Sequence, residues 1–300
     1  MSASSIATPA GQQQAPEVSS AAEGYAFCRA VAHKHGANFS VGFRFLPEAK
    51  RNAVYAAYAA CRWADDIADD PGENIGPRLD AWEAEIEACY AGRPSHAITI
   101  ALADALHHFA IPKEDGFLAL IDGCRQDMVK ARYETFEELL HYCDLVATSI
   151  SEISLAIFGY RTPKAHEYGR NLSTALQLTN ITRDIGDDLS RDRIYIPAEE
   201  LARFNVTEAD LFEKKHSDGI RALVEFEARR ALDYFAGALP LLDELDSDSR
   251  FPTLMMGSIY SEVLRKVLSD PFATLHRRVA LSLPRKVYVV LRGLARPRFA

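Results

Sequence analysis

Apolar positions recur every three or four residues from Glu23 almost to the C-terminus, and strict residue-by-residue alternation is rare. That period, with abundant alanine, predicts helices near 23–36, 47–70, 76–91, 95–110, 113–130, 135–159, 164–188, 207–216, 218–246, 251–269 and 271–294. The punctuation agrees. Pro47 can open a helix, Pro71-Gly72 closes one, and Gly92-Arg93-Pro94 interrupts the chain. Thr135 and Glu138 have the spacing of a capping box, and Thr207 with Asp210 that of a weaker one. Leu189–Pro197, LSRDRIYIP, is the non-helical stretch with chemical character. No repeat and no long linker divides the pattern. It predicts an all-α, single-domain bundle of about ten helices over residues 23–294. Residues 1–22, without Lys or Arg, are expected to form a disordered tail, and 295–300 a short basic end.

Composition then narrows the function. With 300 residues, 48% of them hydrophobic, the chain can bury a sizeable core. A net charge of -8 excludes a global affinity for nucleic acid. The charge is uneven: Arg265–Ala300 holds nine Lys or Arg and one acid, Asp270. Such a segment suits an anionic membrane surface or an anionic substrate, and equally a solvated helix. The five cysteines form no C-x-x-C pair, which fits a reducing cytosol better than disulfides or a zinc knuckle. No apolar run is long enough to cross a bilayer, and the first twenty residues lack a secretory pattern. The expected location is cytoplasmic, with peripheral contact at the inner face of the membrane through the basic C-terminal segment.

Two acidic clusters carry the candidate chemistry. In Cys61–Asp70, CRWADDIADD, residues Arg62, Asp65, Asp66 and Asp69 share one helix face. In Gln177–Asp188, QLTNITRDIGDD, residues Gln177, Asn180, Asp184 and Asp188 fall within about 60° of one another if the helix is continuous. Like charges one turn apart repel, and a divalent cation reverses that sign. Magnesium typically takes one or two carboxylates and completes its shell with water and phosphate oxygens. Each cluster alone would read as a solvated helix end. Together, each with a nearby arginine (Arg62, Arg183), they suggest a cage for a diphosphate and its metals. The apolar runs Ile153–Phe158 and Leu254–Ile259 could line a prenyl tunnel or simply fill the core.

DDIADD and QLTNITRDIGDDLSRDRIYIP resemble the two aspartate-rich signatures of squalene/phytoene synthases, and the likeness extends over ANFSVGFRFLPEAKR, VKARYETFEELLHYC and SLPRK. The resemblance implies an isoprenoid-synthase-like bundle with a central apolar cavity. It implies magnesium-dependent head-to-head joining of two prenyl diphosphates, with manganese as a substitute ion and NADPH use left open. Asp65, Asp69, Asn180, Asp184 and Asp188 would serve as metal ligands, and Tyr133 would lie near the reacting carbons. Arg62, Gln177, Asn180, Arg183, Arg193, Tyr195, Tyr260 and Arg278 would contact substrate. Asn38-Phe39-x-Val41 is similar to bacterial hopanoid-pathway squalene-forming members. Ser40 stands where the family often has tyrosine, Asp192 where a glycine often precedes the flap arginine, and Ile150-Ser151 where Val-Gly is common. Two farnesyl diphosphates giving a presqualene diphosphate or squalene-type C30 product is the favoured reading. Phytoene synthesis from two geranylgeranyl diphosphates and a non-catalytic scaffold are the alternatives. Other enzymes of the same pathway are the expected partners.

Overall fold

The computed structural model describes residues 8–9, 14–35, 42–70, 74–295 and 299. The motif residues Asn38, Phe39, Ser40 and Val41, the Pro71-Gly72 break and half of the expected tail lie outside the described residues. The first half contains α1 (Ala21–His35), α2 (Glu48–Ala68), α3 (Ile75–Tyr90), α4 (Ala97–Leu106), α5 (Ala119–Val129), α6 (Phe136–Cys143) and α7 (Ser149–Phe158). After these come α8 (Lys164–Arg183), α9 (Ile185–Leu189), α10 (Ala198–Arg203), α11 (Glu208–Phe212) and α12 (Asp218–Ala238). The chain ends with α13 (Leu241–Glu244), α14 (Arg250–Ser269), α15 (Ala273–His276) and α16 (Leu283–Ala295). π-Helical turns at Lys113–Leu118 and Asp144–Thr148 lead into α5 and α7. Among the described residues, β pairing is confined to two isolated bridges.

The helices gather into two compact units, neither contiguous in sequence. The first takes Met1–Met128, Ser149–Arg161 and Leu245–Pro252, and the second takes the rest. The first unit is built round α2, whose alanines (Ala53, Ala56, Ala57, Ala59, Ala60, Ala64) are all buried. Small side chains let α1, α4, α3 and α7 all pack against it. Trp63 and Trp82 close its far end around His96. Lys50 fastens the three segments: its ammonium donates to the Phe158 carbonyl at 2.7 Å, Asp246 at 3.0 Å and Asp248 at 2.7 Å. The second unit centres on α8 packed along α12.

Four departures from the sequence expectation bear on the site. The helix over 164–188 is interrupted at Asp184 (φ -106°, ψ 13°), so Asp188 sits on the separate turn α9. The cause is a close approach: a Cβ on Gly186 would lie 2.3 Å from the Leu275 carbonyl oxygen, so α9 has shifted onto α15 where only glycine fits. The helix over 271–294 is two helices separated by 277–282, because Pro284 has no N–H to give and is accommodated only in a first turn. Helix α10 was not anticipated, although Pro197 followed by Glu199 and Glu200 is a start signal. The capping boxes are ranked the other way. Thr207 and Asp210 exchange both hydrogen bonds, whereas Glu138 turns from Thr135 to accept from the Glu134 amide and Lys130.

Candidate active site

In the first unit, the last two turns of α2 carry the first acid row. Its buried alanine and tryptophan face fixes the helix, so the acids project from a rigid element. Asp66 is buried and takes the Arg62 guanidinium in an i,i+4 ion pair. Arg62 Nε is itself buried and has no hydrogen-bond partner. Asp65 accepts from the Cys124 thiol at 3.6 Å. Burial pushes the Asp65 carboxyl up to about 6; Arg62 pulls the other way, and Asp69 and Asp66 add to the rise. Asp69 caps the helix, its amide bonded to the Asp65 carbonyl at 2.9 Å, and is an exposed residue.

In the second unit, Asn180 donates to Gln177 Oε1 at 3.3 Å one turn before the interruption. Thr179 and Thr182 bond back to carbonyls inside α8 and are buried. Buried Arg183 clamps Asp184 with two bonds, 2.7 and 2.5 Å, and faces the Tyr260 ring at 5.9 Å. Arg278 reaches the same carboxylate at 3.3 Å. Two of the four arginines expected on substrate, Arg183 and Arg278, therefore rest on Asp184. Asp188 is pushed up to about 7 by burial and then by Asp184, with Arg191 and Arg193 opposing. A small crevice brings Asp188, Arg193 and Tyr195 together with Ile181, Ile185 and Leu211.

The flap residues are fixed by backbone pairing with the segment before α6. The Ile194 amide donates to the Ala131 carbonyl at 2.9 Å and the Ala198 amide to the Tyr133 carbonyl at 2.8 Å. This pairing stacks Tyr195 on Tyr133 (5.8 Å, 23°) and on Tyr142 (5.4 Å, 28°). Lys130 lies over Tyr133 at 4.7 Å. Sequence reasoning missed Tyr142; its place two turns into the capped helix that follows Tyr133 was the available signal. Asp192 has φ +57°, which explains why a glycine suits the position elsewhere. Here its carboxylate pairs with Arg132 at 2.8 Å.

The model matching this chain describes squalene/phytoene synthases and spans residues 32–285. The chain belongs to the squalene/phytoene synthase family. This synthase is thus a prenyltransferase, of a family that joins prenyl diphosphates head to head and uses a divalent metal to ionise them. It is 34% identical to a 15-cis-phytoene synthase of Synechococcus elongatus over 90% of this chain and 92% of that one. The corresponding enzyme of Synechocystis is 35% identical over 93% and 87%. Among solved structures, a dehydrosqualene synthase superposes with TM-score 0.86 at 28% identity, covering 92% of this chain and 96% of that one. The squalene synthase HpnC of Alicyclobacillus acidocaldarius gives 0.78 at 29%, covering 83% and 94%.

Among the described residues no three carboxylate, imidazole or thiol groups gather as a metal site. The residues of the synthase nevertheless suit magnesium, which asks for few carboxylates and takes phosphate oxygens for the rest. Each row has a carboxylate pair, Asp65 with Asp69 and Asp184 with Asp188, in which one member is held against ionisation by burial and a like-charged neighbour. The orphaned Nε of Arg62 is a donor without an acceptor, as expected of a side chain whose partner is an anionic ligand.

Proposed function

We propose that this synthase condenses two farnesyl diphosphates, with magnesium, to a cyclopropylcarbinyl diphosphate of the presqualene type. The observation that carries the reading is the pair of half-buried carboxylates, Asp65 and Asp188, both raised toward neutral pH beside a second acid. Asp65 with Asp69, and separately Asp184 with Asp188 beside Asn180, would each hold divalent metal, which would draw negative charge from a leaving diphosphate. Arg62, paired with Asp66 beside Asp65, would add positive charge next to that group. Arg183 and Arg278 flank Asp184 and stand ready as phosphate donors, with Arg193 and Gln177 close to the same row. The stacked faces of Tyr133, Tyr142 and Tyr195 are electron-rich walls suited to an allylic cation. Ionisation breaks the C1–O bond of one substrate, and the double bond of the second supplies the electron pair for the new C–C bond. That attack leaves a cation on C3 of the second chain. Loss of a proton from C1 of the first chain supplies the electron pair that bonds C1 to C3 and closes the cyclopropane, and the second chain keeps its diphosphate. With substrate seated, Ile181, Ile185 and Leu211 beside Asp188 would help to exclude water from the cation.

Chain length divides the readings. The superposition on a dehydrosqualene synthase and on a squalene synthase supports a C30 product. The identity to cyanobacterial phytoene synthases supports a C40 product as the second reading. Purified protein is incubated with radiolabelled farnesyl or geranylgeranyl diphosphate, with magnesium or with chelator, and with or without NADPH. A C30 diphosphate, or squalene when NADPH is added, is expected from the C15 donor in magnesium alone. Exclusive C40 product overturns the chain length, and turnover in chelator overturns the metal assignment.

The same reading puts the enzyme at the cytoplasmic face of a membrane, into which such long hydrocarbon products partition.

A further inference from the structure

Helix α16, LPRKVYVVLRGLA, rests on the second unit by a narrow strip. Val289 and Gly293 are buried, and a Cβ on Gly293 would lie 2.9 Å from Ser258 Oγ. Arg285 Nε donates to Glu262 at 2.8 Å, and Arg292 approaches the same carboxylate at 3.6 Å. At 100° per residue this strip is one side of the helix, and Leu283, Val287, Tyr288, Leu291 and Leu294 fall on the other. They are 74, 51, 53, 60 and 51% exposed. Five large apolar side chains on one short helix make a continuous ridge rather than the single scattered residues normal on a surface.

The ridge is bordered by cations on both sides, Lys286 on one and Arg285 and Arg292 on the other, and α16 has no acid. Arg277 and Arg278, just before it, are also exposed. A second copy of the chain could cover the apolar ridge. A twofold pairing of α16 with itself would, however, set cationic borders against each other with only the Glu262 carboxylates, each already shared among Arg265, Arg285 and Arg292, as counter-charge. A leaflet containing anionic lipid satisfies both halves at once: acyl chains for the ridge, phosphates for the borders.

We propose that α16 docks this enzyme in the plane of an anionic bilayer, its apolar ridge sunk among acyl chains and its arginine and lysine borders on the headgroups. This deepens the prenyl-transfer reading by naming the surface on which the enzyme works, but docking is measured without substrate and so stands or falls separately. The full-length protein is co-sedimented with vesicles of phosphatidylcholine alone or with about one third phosphatidylglycerol, at low and high salt. The same is done for Val287→Asp/Leu291→Asp, whose side chains are exposed and lie outside the reaction site. Wild type should bind the anionic vesicles roughly tenfold or more tightly than the neutral ones, with high salt weakening the binding. The variant should lose binding by a similar factor while keeping its circular dichroism and its turnover of detergent-dispersed substrate. Equal binding by variant and wild type, or no wild-type binding, overturns the proposal. A wild-type dimer that the variant abolishes, seen by sedimentation velocity without vesicles, overturns it in favour of a second copy.

Discussion

Gly186→Ala tests whether close packing sets the second acid row. Helix propensity alone favours the change: alanine is about 1 kcal/mol better than glycine within a helix. Steric contact opposes it. The new methyl would sit 2.3 Å from the Leu275 carbonyl oxygen, 2.7 Å from its carbon and 3.1 Å from the Thr274 oxygen. All three are backbone atoms, so no side chain can swing away, and α9 or α15 must retreat by roughly 1 Å to restore van der Waals contact. Overpacking of this kind costs about 1–3 kcal/mol, and the broken α9–α15 contact puts this case at the upper end. The net expectation is destabilisation of roughly 1–2 kcal/mol, read as a lower urea midpoint at unchanged slope. Because Asp184 and Asp188 flank this residue, kcat should fall by more than the small stability loss explains. Gly76→Ala, in α3 with nothing within 4 Å of the added carbon, is the control and should be neutral or slightly stabilising. If Gly186→Ala instead raised the midpoint as the control does, the packing account of the Asp184 interruption would be refuted.

Asp65→Asn and Asp188→Asn should each lower turnover at least ~100-fold while raising the melting temperature of the metal-free protein at pH 8. The folded-state values near 6 and 7 lie above the ordinary 3.8, so each acid's stabilising effect is complete below about pH 4 and is lost as pH rises through 6 and 7; the amides never ionise. His96 behaves oppositely. Burial lowers it to about 4, and its Nδ1 caps α4 by accepting from the Ile98 amide. The unfolded chain therefore takes up a proton first, and stability falls as pH drops from about 6.5 toward 4; His96→Ser, which can keep a cap, should flatten that slope in denaturation at pH 4.5 and 7. Asp192→Gly should change the unfolding free energy by less than about 1 kcal/mol, because relief of the positive φ offsets the lost, exposed Arg132 pair. Asp192→Val should cost about 1–2 kcal/mol, both measured by urea titration.

Periodicity made the helices legible because each buries one stripe; the start of α2 and the end of α3 fall close to where Pro47 and Gly92 would put them, and α12 starts at the expected 218. What escaped was set by distant contacts. The interruption at Asp184 depends on Leu275, some ninety positions away, and nothing local to QLTNITRDIGDD encodes it. The same holds within the site. Spacing singled out Asp65, Asp69, Asp184 and Asp188 as candidates. It could not tell that Arg62 would turn to buried Asp66 or that Arg183 and Arg278 would share Asp184, since these pairings depend on burial and rotamer choice. Tyr142 was likewise invisible until the pairing of 131–134 with 194–199 stacked it on Tyr195.

The Lys50 staple constrains anyone recombining this enzyme with a homologue. Its acceptors at 158, 246 and 248 come from stretches that a single crossover between positions 50 and 158 would draw from the other parent. A chimera made that way would inherit an ammonium half-sunk in protein facing carboxylates selected for a different neighbour. Productive exchanges should keep both ends of this triangle from one parent.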